Sequence, residues 1–229
     1  MNTVVKICGL SDEATLDAAL DAGADMIGLV FFAPSPRNVT LARGSALARR
    51  VHGRAAIVAL TVDADKTALE AIMEAVRPDF LQCHGSETAA HIAALRTRFG
   101  APIIKAVGVE GRDDLAAAAQ MARCADMLLL DAKPPRGAPL PGGNGAAFDW
   151  ALVADFSAAA PVLLSGGLNP DNVARAIRET RLGGVDVSSG VEHAPGRKDA
   201  AKIEAFIANA RRAWAAADAA PVLHEETIR

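Results

Sequence analysis

Eight short, nearly continuous apolar runs alternate with alanine-rich stretches along the 229-residue chain, and this alternation constrains the fold most strongly. Such runs are typical of parallel strands that are covered on both faces. We predict strands at Val4–Cys8, Met26–Phe31, Ala56–Thr61, Phe80–His84, Ile103–Val107, Met127–Asp131, Val162–Ser165 and Val185–Ser188. Apolar residues recur at helical spacing between them, which predicts helices over stretches such as Asp12–Asp21, Lys66–Val76, Glu87–Arg98 and Asp171–Thr180.

Eight strand–helix units of about 28 residues each favour a single (β/α)₈ TIM barrel. We assign residues 1–217 to the barrel and 218–229 to a C-terminal tail that is expected to fray. An open doubly wound sheet is the alternative, but its glycine fingerprint is absent after the first strand. The segment Lys133–Gly145 is rich in Pro and Gly, and loops of this length are usually functional or disordered.

Composition argues against several classes of partner. A net charge of −3 gives no electrostatic reason to bind nucleic acid or an anionic membrane. No apolar run reaches the roughly 18 residues of a membrane helix, and the N-terminus lacks the pattern of a secretory signal. The three cysteines have neither metal-site nor disulfide spacing. We therefore expect a reduced, cytoplasmic protein without bound metal or cofactor, as a monomer or a homodimer.

Polar residues follow most of the predicted strands at the point where each strand ends. In a barrel these ends meet at one rim, where catalytic groups lie. The rim residues are Cys8, Arg37, His84, Asp131, Ser165 and Ser188. Their shared position is a stronger indication of a site than any one of them.

Glycine-rich loops at this rim predict a phosphate site. Glycine lets backbone N–H groups approach an anion closely, and the loops after strands seven and eight usually bind phosphate in this fold. Each loop alone is equally compatible with an ordinary turn. The candidate residues are Gly166, Gly167, Ser188, Ser189 and Gly190, together with Gly143 and Gly145.

Cys8 is open to two interpretations. A free cysteine is most often a small buried apolar residue, but one at a strand end can act as a base through its thiolate. Lys6 lies two residues earlier and is expected to face the same side of the strand. Its ammonium group would either favour the thiolate or form an ion pair inside the barrel with Asp186.

Asp131 and Arg37 carry the remaining candidate chemistry. Burial raises the pKa of carboxyl groups, so Asp131, which ends an apolar strand, is a candidate acid as well as a candidate helix cap. Arg37 lies between Pro36 and Asn38, where it is either a surface charge or a bidentate fork for a carboxylate.

The ordered set of motifs resembles the phosphoribosylanthranilate isomerase family of tryptophan biosynthesis through about residue 210. The matching motifs are Lys6-Ile7-Cys8-Gly9, Phe31-Phe32 to Pro36-Arg37, Leu81-Gln82-Cys83-His84-Gly85, Leu130-Asp131, Gly142-Gly143-Asn144-Gly145, Phe148-Asp149-Trp150, Ser165-Gly166-Gly167-Leu168 and Asp186-Val187-Ser188-Ser189-Gly190-Val191-Glu192. Two positions depart from the family pattern. Asn144 stands where Thr is usual, and Cys83 stands where another apolar residue is usual.

The resemblance implies the Amadori rearrangement of N-(5-phosphoribosyl)anthranilate to the 1-deoxyribulose 5-phosphate isomer, without a cofactor. It implies that Asp131 is the general acid and Cys8 the general base. It also implies that Arg37 holds the anthranilate carboxylate, that Asp186 contacts the sugar, and that the loops after strands seven and eight hold the phosphate.

Two other functions compete with this one. A histidine-pathway isomerase would be expected to carry paired aspartates, and indole-glycerol-phosphate synthase to carry Lys and Glu at strand ends. The pair Cys8 and Asp131 disfavours both enzymes. A non-catalytic phosphate-binding barrel is the second alternative, and retention of both proton-transfer groups argues against it.

Overall fold

A closed eight-stranded parallel barrel forms the centre of the computed structural model, which describes residues 3–134, 137, 140, 142, 143, 145 and 148–219. The barrel strands are β1 (Val4–Cys8), β2 (Met26–Val30), β3 (Ala56–Thr61), β4 (Phe80–Cys83), β5 (Ile103–Val109), β6 (Met127–Ala132), β7 (Val162–Leu164) and β8 (Gly184–Val187). Strand β1 pairs with β2 on one side and with β8 on the other, which closes the sheet. The predicted (β/α)₈ fold is confirmed.

Helices follow most of the strands and cover the outside of the barrel. They are α1 (Glu13–Asp21), α2 (Leu41–Val51), α3 (Lys66–Val76), α4 (Ala89–Phe99), α5 (Arg112–Met121), α6 (Val173–Thr180) and α7 (Ala200–Asp218). Side-chain caps set several helix starts: the first four helices begin after Asp12, Thr40, Asp65 and Thr88, whose side chains each accept a backbone N–H three residues on.

Two of the eight units depart from the simple repeat. After β6, the described residues contain a 3₁₀ turn (Trp150–Val153) rather than an α-helix. After β8, a 3₁₀ turn (Ser189–Val191) leads into a small antiparallel hairpin of β9 (Glu192–Ala194) and β10 (Arg197–Lys198), and α7 follows. Of the predicted tail, only residues 218 and 219 lie within the described part of the chain.

Three apolar clusters hold the barrel. The largest lies between strands and helices, and a small one at the rim contains Cys8, Val30 and Leu60. The third fills the barrel interior with Met26, Val58, Ile104, Ala106, Met127, Leu129 and Leu163. Because side chains alternate along a strand, Lys6 and Cys8 face the same side. Lys6 is fully buried and Cys8 is 4% exposed. Cys8 therefore lies above the apolar interior, at the rim where β1 ends.

Candidate active site

A cleft of about 770 Å³ opens at the C-terminal ends of the strands, where the sequence predicts the site. All but one of the predicted site residues line it. They are Cys8, Arg37, Asp131, Gly143, Gly145, Gly166, Gly167, Asp186, Ser188 and Ser189. The exception, Gly190, packs against the carbonyl oxygen of Leu168, where any side chain would collide with that oxygen. Gly190 thus lets the loops after β7 and β8 touch rather than forming the cleft wall.

Cys8 is placed at the floor of the cleft by close backbone packing. A Cβ on Gly28 of the neighbouring strand would lie 2.8 Å from the Cys8 Sγ, so the glycine leaves room for the thiol. Burial raises the pKa of the Cys8 thiol, and the positive charge of Lys6 opposes this effect without cancelling it. The thiol is therefore the predominant form at neutral pH, and the adjacent cation assists the minor thiolate.

Lys6 forms a buried ion pair with Asp186, one of the two alternatives left open by the sequence. The two residues are register partners on β1 and β8, and the Lys6 Nζ lies 2.6 Å from the Asp186 Oδ1. Burial acts to lower the pKa of Lys6, but the charge of Asp186 and the contact with Cys8 raise it above its usual value. Ser165 donates its hydroxyl to the other oxygen of Asp186 at 3.0 Å. Lys6 thus serves both as a structural partner and as a cation beside the thiol.

Asp131 is the penultimate residue of β6, which runs one residue past its predicted end to Ala132, and its carboxyl group is turned into the cleft. The backbone N–H of Ala132 donates to its Oδ1 at 2.9 Å, and the Nε2 of His84 lies 3.4 Å from its Oδ2. A Cβ on Gly142 would lie 2.5 Å from both the Asp131 Oδ2 and the His84 Nε2. The loop after β6 therefore passes directly over the carboxyl group, and a glycine at 142 permits that approach.

His84, whose role is open from the sequence, has a buried partner in Gln82, to which the sequence assigns no role. The Nε2 of Gln82 lies 3.1 Å from the Nδ1 of His84. When the amide donates there, the proton of a neutral imidazole is on Nε2, the nitrogen that faces Asp131. The Gln82 side chain is fully buried at the end of β4, two residues before His84. The sequence signal for a role of Gln82 is that it is a polar residue inside a predicted apolar strand.

Arg37 is buried at the rim, and its fork is already engaged by the protein. Its Nε and Nη2 donate to the two carboxylate oxygens of Glu192 at 2.7 and 2.9 Å. A weaker bond at 3.4 Å runs from Nη2 to the carbonyl oxygen of Gly143. The surface-charge alternative is therefore wrong, and the fork expected to bind a ligand carboxylate bidentately is occupied by Glu192. Among the described residues no partner is found for Nη1, which is the nitrogen that remains for a ligand.

The glycine-rich loops adopt conformations that suit anion binding. Gly143, Gly145, Gly166 and Gly167 have φ values between 65° and 81°, the left-handed region that glycine adopts readily. A Cβ on Gly166 would lie 2.5 Å from the backbone nitrogen of Ala132. These loops bring backbone groups of β6, β7 and β8 to one side of the cleft. The departure at Asn144 lies outside the described residues.

Two further cysteines, Cys83 and Cys124, do not line the cleft, and neither does the buried pair of Lys105 and Glu87. Burial raises the pKa of Cys83 to about 12, which makes its thiol unreactive at neutral pH. Lys105 pairs with Glu87 at 2.7 Å and donates to the carbonyl oxygen of Gly85 at 2.6 Å, which fixes the loop after β4.

Two negative findings apply to the part of the chain that the structure describes. It contains no group of three or more His, Cys, Asp or Glu side chains arranged to hold a metal ion. It also has no helix long and apolar enough to cross a membrane.

Comparisons with known proteins agree with this arrangement. The family described as N-(5'phosphoribosyl)anthranilate (PRA) isomerase matches residues 5–209. The N-(5'-phosphoribosyl)anthranilate isomerase of Rhodopseudomonas palustris (strain BisA53) is 58% identical over 207 residues, which cover 90% of this chain and 95% of the relative. That of Nitrobacter winogradskyi is 56% identical over 213 residues, covering 93% of this chain and 95% of the relative.

Solved structures of the same enzyme share the fold. The phosphoribosyl anthranilate isomerase of Thermotoga maritima has a TM-score of 0.83 at 32% identity, with 92% of this chain and 99% of that chain covered. A phosphoribosyl anthranilate isomerase in complex with reduced 1-(o-carboxyphenylamino)-1-deoxyribulose 5-phosphate has a TM-score of 0.79 at 31% identity, with the same coverage. From its sequence, its barrel and its relatives, the chain belongs to the N-(5'-phosphoribosyl)anthranilate isomerase family.

Proposed function

We propose that this chain isomerises N-(5'-phosphoribosyl)anthranilate in tryptophan biosynthesis, with Asp131 as general acid and Cys8 as general base. Membership of the family supports the reaction. The observation that carries the residue roles is the placement of a buried thiol and a buried carboxyl group in one cleft at the C-terminal rim of the barrel. The reaction requires only proton transfers, which these two groups can provide.

The first step is ring opening. Asp131 gives a proton to the furanose ring oxygen, the bond between that oxygen and C1 breaks, and the nitrogen lone pair forms an iminium at C1. His84 supports this step because its Nε2 faces the Asp131 Oδ2 and can donate to the carboxylate that the transfer leaves.

The second step is removal of the proton at C2. The thiolate of Cys8 takes this proton, and the electrons of the C–H bond move to the iminium to give a neutral enolamine. Lys6 stabilises the thiolate before the transfer because its charge lies beside the sulfur. The enol hydroxyl then loses its proton and C1 gains one, which yields the ketone without a net change of charge.

Two anchors hold the substrate by its ends. The phosphate is bound by the loops that contain Gly166, Gly167, Ser188 and Ser189, and the anthranilate carboxylate is bound by Arg37. Anchoring both ends positions the sugar between the acid and the base without taking part in the chemistry. Asp186 is bound to Lys6 and Ser165 and lines the cleft, where we expect it to contact the sugar and to hold Lys6 beside the base.

Consumption of phosphoribosylanthranilate by the purified protein, followed by the loss of its fluorescence, tests the activity. Cys8→Ala tests the base, and we expect kcat to fall about a hundredfold or more with the fold retained. Ligand binding without turnover by the wild-type protein would contradict the proposal and favour a non-catalytic barrel. Turnover by Cys8→Ala near the wild-type rate would contradict the assignment of the base alone.

A further inference from the structure

We propose that Glu192 is a positioning residue for Arg37 and that the β9–β10 hairpin links the two anchors of the substrate site. This inference rests on the proposed function, because it concerns how that site holds its ligand. Glu192 follows the rim segment after β8, and its side chain is 5% exposed. It touches neither reacting group, so it acts through the residues that it binds.

The pair of Arg37 and Glu192 fixes the direction of the guanidinium group. The two bonds of 2.7 and 2.9 Å form a bidentate contact, which defines both the position and the plane of the fork. A third donor, the backbone N–H of Gly196, binds the same carboxylate at 3.2 Å. Arg37 is thereby held with Nη1 directed toward Gly143, where a Cβ would lie 2.8 Å away.

Lys198 joins this carboxylate to the other side of the site. Its Nζ lies 2.8 Å from the Glu192 Oε1 and donates to the carbonyl oxygen of Ser188 at 2.8 Å. The Ser188 hydroxyl in turn donates to the carbonyl oxygen of Cys8 at 3.1 Å. The hairpin therefore connects Arg37, at the carboxylate end, with the phosphate loop and the strand end that carries the base.

The charges around Glu192 favour this role over simple packing. Burial acts to raise the pKa of Glu192, but the bonds from Arg37 and the charge of Lys198 hold it below its usual range. One carboxylate thus lies between two cations, and the three groups together carry a net positive charge toward an anionic ligand. Removal of the carboxylate would leave Arg37 and Lys198 without their shared counter-ion. The Arg37 side chain could then move away from its position.

The test compares ligand binding and kinetics in Glu192→Ala, Arg37→Ala and the double variant. The ligand is the reduced analogue 1-(o-carboxyphenylamino)-1-deoxyribulose 5-phosphate, titrated by calorimetry, with KM measured in parallel. We expect Glu192→Ala to raise Kd and KM by about tenfold or more, with a smaller effect on kcat. Because Glu192 acts through Arg37, the double variant should bind within about threefold of Arg37→Ala.

Two further variants make the result independent of folding. Glu192→Gln keeps one acceptor for Arg37 and should give an intermediate loss of affinity. Asp25→Asn is the matched control, since it breaks a carboxylate–arginine pair with Arg211 at the opposite end of the barrel and should change thermal stability but not Kd. If Glu192→Ala does not fold, adding Lys198→Met removes one unpaired cation and allows the same comparison.

Kd and KM within about twofold of wild type in both Glu192 variants would overturn the inference, as would multiplicative losses in the double variant. Turnover by the wild-type protein is measured in the same assay. Failure of the inference with normal wild-type turnover therefore leaves the proposed function standing, whereas absent wild-type turnover rejects the function itself.

Discussion

Asp131→Asn removes the proposed proton donor and leaves its surroundings nearly unchanged. Asp131 is buried, with 6% of the residue exposed, and its Oδ1 accepts the Ala132 N–H at 2.9 Å. The Asn side chain has the same shape and keeps that acceptor, so we expect the fold to be retained. Loss of a general acid costs about 10²–10⁴-fold in rate. We therefore expect kcat to fall by that factor, which corresponds to about 3–5 kcal/mol at 1.36 kcal/mol per decade.

The assay is single-turnover consumption of phosphoribosylanthranilate, with binding of the reduced product analogue as a check on the site. Asp79→Asn is a matched control, because Asp79 accepts the Ile57 N–H at 2.7 Å at the opposite end of the barrel. Asp131→Asn should bind the analogue nearly as wild type does, and the control should turn over normally. A kcat for Asp131→Asn within about tenfold of wild type would refute the assignment of the acid.

The pH dependence of this variant isolates the base. Carboxyl groups ordinarily lose their protons at lower pH than thiols, so in an enzyme that needs a protonated acid and a thiolate the two titrations oppose each other at neutral pH. Of the two proposed proton-transfer groups, only the thiol of Cys8 remains in Asp131→Asn. Because burial raises its pKa, the residual rate should rise about tenfold per pH unit throughout the neutral range. A residual rate independent of pH would contradict Cys8 as the base.

Four further results are expected. Lys6→Met should lower kcat/KM at neutral pH, because the pKa of Cys8 rises further without the cation, and should cost about 3–5 kcal/mol in urea unfolding by leaving buried Asp186 unpaired. Arg37→Ala should raise KM by about tenfold or more, and an unchanged KM would remove Arg37 from the site. Gly166→Ala should weaken competitive inhibition by inorganic phosphate, since its Cβ would lie 2.5 Å from a backbone nitrogen of β6. Chelators should leave activity unchanged; loss of activity on metal removal would contradict a metal-free reaction.

Local patterns predicted the barrel well because each strand is specified by its own residues. The bounds of Val4–Cys8, Ala56–Thr61 and Lys66–Val76 agree with the structure. Apolar runs between turn residues are typical of buried parallel strands, and eight of them in a chain of this length favour a closed barrel over an open sheet. The rim position of Cys8 and Asp131 then follows from the strand ends, without knowledge of any long-range contact.

Element ends were less predictable where a side chain has a tertiary partner. The helix predicted from Glu87 begins instead at Ala89, because Thr88 provides the cap and Glu87 turns inward to Lys105. Strand β5 runs to Val109, two residues past its predicted end, where it pairs with Ala132 of β6. The helix start thus follows from a local cap together with the Glu87–Lys105 pair, and the longer strand follows from its pairing with β6.

The same limit explains why Glu192 and Lys198 received no role from sequence. Arg37 and Glu192 are 155 residues apart, and neither sequence neighbourhood indicates the other. From its residues alone, the sequence leaves Arg37 as either a surface charge or a bidentate fork for a ligand carboxylate, and it does not indicate the buried partner Glu192. Glu192 closes one of the motifs that resemble the family, but that motif assigns it no role, and charged residues in loops are usually solvated.

The two aspartates at the rim differ in their partners, and this difference bears on the proposal that Asp131 is the proton donor. Asp186 uses one oxygen for the ammonium group of Lys6 at 2.6 Å and the other for the Ser165 hydroxyl at 3.0 Å. Asp131 has one oxygen on a backbone N–H and turns the other toward His84 at the cleft. A group that transfers a proton must reach the substrate without first breaking an ion pair. Asp131 meets that condition and Asp186 does not, which supports the proposal that Asp131 is the acid; strand position alone does not distinguish the two.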